Sequence, residues 1–184
     1  MLEKLDSKTG ILICGHGSRS SLAIKEFADL AGKIKLQLSG IHLEYGYLEF
    51  ARPTISEALD NLSNLNVDSV IALPAMLFAA GHAKNDIPAL LKNYSKKTGL
   101  RIKYGRELGL NSSMIGAAGE RIKELISSKS KIPASETLLV VVGRGSSDPD
   151  ANSNVFKITR MLVEGFGFGW GETVFSGVTF PLVE

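Results

Sequence analysis

The 184-residue sequence predicts an α/β fold. Its expected form is a series of repeated βα units with parallel sheets, one complete domain plus part of a duplicated second. Three observations predict it. Short unbroken apolar runs alternate with amphipathic stretches, the pattern of parallel strands covered by helices on both faces. Turn and capping residues stand at the junctions between them. Third, the sequence repeats with a fixed offset: Gly15 and Gly143 lie 128 positions apart (143 − 15), and so do Pro53 and Pro181 (181 − 53).

The elements follow in order. GILIC reads as a buried strand running into Gly15-His16-Gly17-Ser18-Arg19. Behind it, Leu22, Phe27, Leu30, Ile34 and Leu38 keep helical spacing. IHLEYGYLEF alternates Leu43, Tyr45 and Tyr47 and reads as a strand. Pro53 marks a boundary, and Thr54 with Glu57 three residues later is a capping-box pattern opening a helix. SVIALPAMLF is a strand ending near Pro74. HAKNDIPALLKNYSKKTG is helical after a loop, with Gly99 as its stop. RIKYG is a short strand, and NSSMIGAAGERIKELISSK a helix behind polar caps. KSKIPASE is a polar connector, which sets the domains at 1–131 and 132–184. TLLVVVG then restarts the cycle. Strands over Leu138 to Val142 and Thr173 to Val178 are expected, with a helix over Asn152 to Glu164 between them. YGYLEFARP stands over TVFSGVTFP, so Tyr47 meets Phe175 and Glu49 meets Gly177. The second copy stops after its second strand, and its open strand edge is expected to be covered.

An apolar fraction of 44% and a charged fraction of 22% are those of an ordinary globular protein. A net charge of +2 is too weak to argue for nucleic acid, and no basic-aromatic cluster is present. No run approaches the ~20 apolar residues of a membrane helix, and no long apolar segment follows the charges of MLEKLDSKTG as a secretory leader requires. A cytoplasmic protein with no nucleic-acid or membrane partner is expected. The one cysteine, Cys14, excludes a disulfide framework and a Cys-rich metal site, and reads as a small buried core residue.

His16 between two glycines admits three readings. It is a cap in a strand-to-helix turn, part of an anion site with Ser18, Arg19 and a helix N-terminus, or a metal ligand or general base. His82 favours the third. It follows LFAAG at another strand's carboxyl end, where ligands of open parallel sheets bind. Two histidines at one sheet edge can converge on one ion. Glu49, at the end of the second strand, can add an oxygen ligand or accept a proton. Arg19, Arg52 and Lys84 flank the same edge and suit a substrate with several carboxylates. His42 lies away from it and reads as structural.

These residues resemble a known family. GILICGHGSRSS, GYLEFARPTISEAL and LPAMLFAAGHAKNDIPALL are similar to the class II chelatases of the sirohydrochlorin cobaltochelatase type (CbiX), relatives of the sirohydrochlorin ferrochelatases. The stretch from VVVGRGSSDPD to the end resembles the second domain of their long form, with Arg144 where the first copy has His16. The resemblance implies ATP-independent insertion of a divalent metal, Co²⁺ or Fe²⁺, into the tetrapyrrole sirohydrochlorin. The metal is a substrate, and no tightly bound cofactor is implied. His16 and His82 match the catalytic, metal-binding histidines and Glu49 the acidic position. Ser18, Arg19, Arg52, Lys84 and Arg144 are expected to bind the substrate, Arg144 through a carboxylate. Two chelatase-like domains would face a cleft, within one chain or in a homodimer of short forms. Two other readings stand beside this one: a metal or tetrapyrrole binder without turnover, and an anion-binding α/β module.

Overall fold

The structure is a computed structural model, and it describes residues 8–38, 40–129 and 132–184. The start of the chain, read above as lacking a leader, lies outside the described residues, as does the junction at Lys131. Two compact units divide the chain between Glu107 and Leu108.

In the first unit, β1 (Thr9–Gly15), β2 (Leu43–Tyr47), β3 (Ser69–Pro74) and β4 (Arg101–Tyr104) form one four-stranded sheet in the order β2-β1-β3-β4. Every pairing is parallel. Helices α1 (Ser21–Gln37), α2 (Ile55–Asn64) and α3 (Ile87–Thr98) connect the strands. All seven residues of β1 are buried because both of its faces are covered. Ile11, Ile13 and Leu43 pack on one side with Phe27, Ala31 and Ile34 of α1. Leu12, Cys14, Val70 and Ala72 pack on the other with Ile55, Ala58, Leu59 and Leu62 of α2 and Ile87 and Leu91 of α3. A continuous apolar strand without polar alternation is what such double cover requires.

The junction chemistry matches the residues that predicted it. Ser20 caps α1 by accepting from Ala23 N. Thr54 and Glu57 close the full capping box of α2, with Thr54 N donating to Glu57 Oε2 at 2.7 Å and Glu57 N donating to Thr54 Oγ1 at 3.2 Å. Gly99 ends α3 at φ 79°, where a side chain would be strained. Helix α3 is preceded by one π turn, His82–Asp86, so its wide first turn was not legible as a break in the helical pattern.

The second unit holds α4 (Ser112–Lys129), a 3₁₀ turn (Ala134–Glu136), β5 (Leu138–Gly143), α5 (Pro149–Phe166) and β6 (Trp170–Phe175). It therefore begins one helix earlier than the sequence boundary after Lys131. The physical reason is packing: Gly119 of α4 lies against the Phe166 ring of α5, so closely that a Cβ there would enter it. Strands β5 and β6 pair in parallel, Gly143 opposite Phe175. Buried Ala151, Val155, Thr159 and Leu162 line the inner face of α5. Thr159 Oγ1 donates to Val155 O at 3.0 Å and meets Thr173 Oγ1 at 2.6 Å, which satisfies both buried hydroxyls.

Two boundaries differ from expectation. Helix α5 starts at Pro149 rather than Asn152, because Asp148 caps it and proline suits its first position. Strand β6 spans Trp170–Phe175, not Thr173–Val178. Beyond Phe175 the chain turns back on itself: Phe175 N donates to Pro181 O, Val183 N donates to Phe175 O, and Val178 takes φ 68°. The offset of 128 holds in three dimensions. Helices α1 and α5 start 128 apart (149 − 21), and β2 and β6 end 128 apart (175 − 47).

Candidate metal centre

Parallel pairing brings the carboxyl ends of β1, β2 and β3 to one edge of the sheet. His16 follows β1 directly. The loop after β2 is zipped onto it by two backbone bonds, Leu48 N to Gly15 O at 2.9 Å and Glu49 N to His16 O at 3.1 Å. Gly17 makes this approach feasible. It sits at φ 94°, and a Cβ on it would collide with the carbonyl oxygen of Glu49. Gly15 has the phenyl ring of Phe27 where a side chain would be. The two glycines around His16 thus serve close approach, one to a backbone and one to a ring.

The side chains converge. His16 Nε2 lies 3.4 Å from Glu49 Oε1, and His82 Nε2 lies 4.0 Å from the same oxygen. The imidazole centroids are 4.8 Å apart, edge to face at 77°. One ligand atom from each of His16, Glu49 and His82 falls within 4.8 Å of the others. Donors bound to one first-row ion at ~2.1 Å stand at most ~4.2 Å apart, so a small side-chain rotation closes the set. The three side chains are 35%, 38% and 46% exposed in the order His16, Glu49, His82. An ion held there keeps coordination positions open to a second ligand.

The other sequence-predicted residues divide. Ser18 Oγ accepts from Ser20 N at 3.0 Å, which shapes the loop. Arg19 places its guanidinium 5.0 Å over the Phe50 ring. Arg52 is on the loop after β2, and its Nη1 pairs with Glu57 Oε1 at 3.1 Å. Lys84 lies in the π turn two residues beyond His82. Arg144 follows β5 in the second unit, at the position equivalent to His16 (144 − 128). His42 stands just before β2, where its carbonyl accepts from Ile11 N.

Two residues at this edge escaped the sequence reading. Asp86 Oδ2 lies 2.7 Å from His82 Nδ1; the signal was its place four residues on in a helical stretch. Phe50 is half exposed at φ 63°, its ring centroid 6.1 Å from that of His16. Its signal was an aromatic residue between the two charged residues of the loop, Glu49 and Arg52.

The class is that of a parallel α/β protein whose sheet gathers two imidazoles and a carboxylate at its carboxyl edge, a set able to hold a metal ion. Residues 10–125 and 138–184 match the CbiX family model, and the chain belongs to that family. It is similar to the sirohydrochlorin cobaltochelatase of Priestia megaterium, 37% identical over 176 residues that cover 95% of this chain and 56% of the relative. It is also similar to the sirohydrochlorin ferrochelatase of Bacillus subtilis (strain 168), 32% identical over 158 residues, 85% of this chain and 59% of the relative. The solved structure of SirB from Bacillus subtilis with Fe³⁺ shares the fold at a TM-score of 0.86 and 29% identity, covering 95% of this chain and 68% of that one. The chain spans less than two thirds of the length of either curated relative. Among the described residues, no helix is long and apolar enough to cross a membrane.

Proposed function

We propose that this chain carries the metal-handling part of a sirohydrochlorin chelatase, which inserts Co²⁺ or Fe²⁺ into the tetrapyrrole without ATP. The observation that supports it most directly is the convergence of His16, Glu49 and His82 on one point. The reaction joins a divalent ion to the macrocycle and releases two pyrrole protons. Imidazole nitrogen and carboxylate oxygen suit both tasks, since each binds a divalent ion and each can accept a proton. Three protein ligands leave the ion room to bond a macrocycle nitrogen before the protein lets go. Holding ion and ring in register makes the transfer intramolecular.

We assign the remaining residues to the substrate. Arg19, held over Phe50, offers a guanidinium to a substrate carboxylate. Ser18 shapes the loop that carries it. Lys84 and Arg144 serve other carboxylates, and Arg52 does so if substrate displaces Glu57. The second unit acts as a chelatase-like repeat with Arg144 and Gly177 where the first has His16 and Glu49. The reaction is placed in the cytoplasm, and a homodimer is a further way to supply the second wall of the cleft.

Anaerobic incubation with sirohydrochlorin and Co²⁺ or Fe²⁺, without ATP, tests this. The expected result is the absorbance change of metallation above the uncatalysed rate, lost in His16→Ala and His82→Ala. Metal or tetrapyrrole binding without any acceleration would instead identify a binding protein. Phosphate binding with no metal dependence would identify an anion-binding module.

A further inference from the structure

Both histidines present the same nitrogen to Glu49, and both are tied at the other. His16 Nδ1 lies 3.0 Å from the carbonyl oxygen of Gly17. A carbonyl only accepts, so Nδ1 carries the hydrogen, and in the neutral imidazole Nε2 is then the bare nitrogen. His82 Nδ1 lies 2.7 Å from Asp86 Oδ2, and a carboxylate makes the same demand. The two imidazoles therefore share one tautomer, with lone pairs directed toward a common point. Only His82 has a charged partner behind it.

The π turn keeps that partner in place. Ile87 N closes the five-residue ring by donating to His82 O. Tyr104 Oη donates to the carbonyl of Ala83 at 3.0 Å, which satisfies a main-chain acceptor inside the widened turn. Burial pushes the Tyr104 hydroxyl up to about 12, with Cys14 and Glu107 adding to the rise, so it stays a donor. Ala83 is buried and pins the turn to the core. His82 and Asp86 thus project together from a fixed turn, and π turns recur at functional sites.

We propose that Asp86 is a positioning residue of the metal centre: it holds His82 as the Nδ1–H tautomer and leaves Nε2 free to bind the ion. The inference rests on the reading of His82 as a metal ligand. A carboxylate behind a ligating imidazole fixes its orientation and increases its donor strength, and losing such a partner costs ~10–100-fold in metal affinity.

Long-range ¹H–¹⁵N NMR of the metal-free chain reports the tautomer of neutral His82 directly. The Nδ1–H form is expected, and an Nε2–H form overturns the proposal. Co²⁺ titration, followed by its visible absorption, then compares variants. Asp86→Leu removes the acceptor and is expected to weaken Co²⁺ binding ~10–100-fold and to alter the Co²⁺ spectrum. Asp86→Asn keeps an acceptor oxygen and is expected to recover most of the loss. Wild-type affinity in Asp86→Leu, or an Asp86→Asn variant no better than Asp86→Leu, overturns it. Should Asp86→Leu fail to fold, the tautomer in the unaltered chain still decides. If the tautomer and Co²⁺ results hold while sirohydrochlorin is not metallated, the proposed function fails and this inference stands.

Discussion

The loop after β2 and the loop after β6 have one backbone and two chemistries. Tyr47 N and Phe175 N donate to Pro53 O and Pro181 O, each at 2.8 Å. Ala51 N and Thr179 N donate to Glu49 O and Gly177 O, again at 2.8 Å. Phe50 and Val178 take φ 63° and 68°, and both prolines are cis. Facing them, Gly17 and Gly145 take φ 94° and 87°, each without room for a Cβ against the opposite carbonyl. Yet His16 is replaced by Arg144 and Glu49 by Gly177. The comparison teaches that glycine, proline and main-chain bonds hold this turn whatever side chains it displays. Chemistry enters through a few substitutions that leave the turn unchanged.

The sharpest way to break this comparison is to remove or transplant the ligands. His16→Ala or His82→Ala should reduce Co²⁺ affinity by more than ~100-fold, since even outer partners of a ligand cost 10–100-fold. Arg144→His combined with Gly177→Glu should leave the loop folded but create no second Co²⁺ site. The two substitutions supply two donors, whereas three converge in the first unit. Equilibrium dialysis should still give one ion per chain; two would show that a pair of ligands on this turn suffices.

A smaller effect separates scaffold from site. Gly17→Ala and Gly145→Ala each force a side chain into a positive-φ position against a carbonyl. Each should cost ~1–3 kcal/mol of stability by urea unfolding. Only Gly17→Ala should also weaken Co²⁺ binding, because it displaces Glu49. Equal metal affinity in the two variants would mean that Glu49 is not held by this turn.

The smallest effect lies just beyond the loops. Thr54 caps α2, whereas its counterpart Leu182 (54 + 128) has no hydroxyl with which to cap anything. Thr54→Ala should cost ~1 kcal/mol. The cap also carries a pH signature. The backbone N–H of Thr54 holds the Glu57 carboxyl below its ordinary value, helped by the Thr54 hydroxyl and by Arg52. Such a group stabilises the fold above the ordinary carboxyl range, and the contribution fades as pH falls through the lowered value. The stability difference between wild type and Glu57→Ala should therefore shrink in acid. A difference independent of pH would remove Glu57 from the cap.

Much of this was legible because it is written in short-range chemistry. The apolar runs of β1 and β3, the capping box at Thr54 and the stop at Gly99 each act over a few residues. The 128-residue offset exposed the duplication, and strand-end placement brought His16, Glu49 and His82 to one edge. What stayed hidden depends on contacts distant in sequence or on a change of helical pitch. Phe166 against Gly119 draws α4 into the second unit. The return of Pro181 and Val183 to Phe175 ends β6 three residues before Val178. The π turn that aligns His82 with Asp86 has the same apolar pattern as an α-helix. Arg52 read as a substrate-binding cation, and its ion pair with Glu57 forms only because the loop folds back onto the first turn of α2.

Cys14 stands two residues from His16, and the fold decides what that nearness means. Its thiol is buried with Ile55, Ala58 and Leu59, and burial pushes it up to about 12. It stays protonated at any working pH, so it is neither a nucleophile nor a soft ligand. A thiolate at this edge would be a softer ligand for a first-row ion than imidazole or carboxylate, and slower to release it. With Cys14 enclosed in the sheet, the donors that converge at this edge are imidazole nitrogen and carboxylate oxygen.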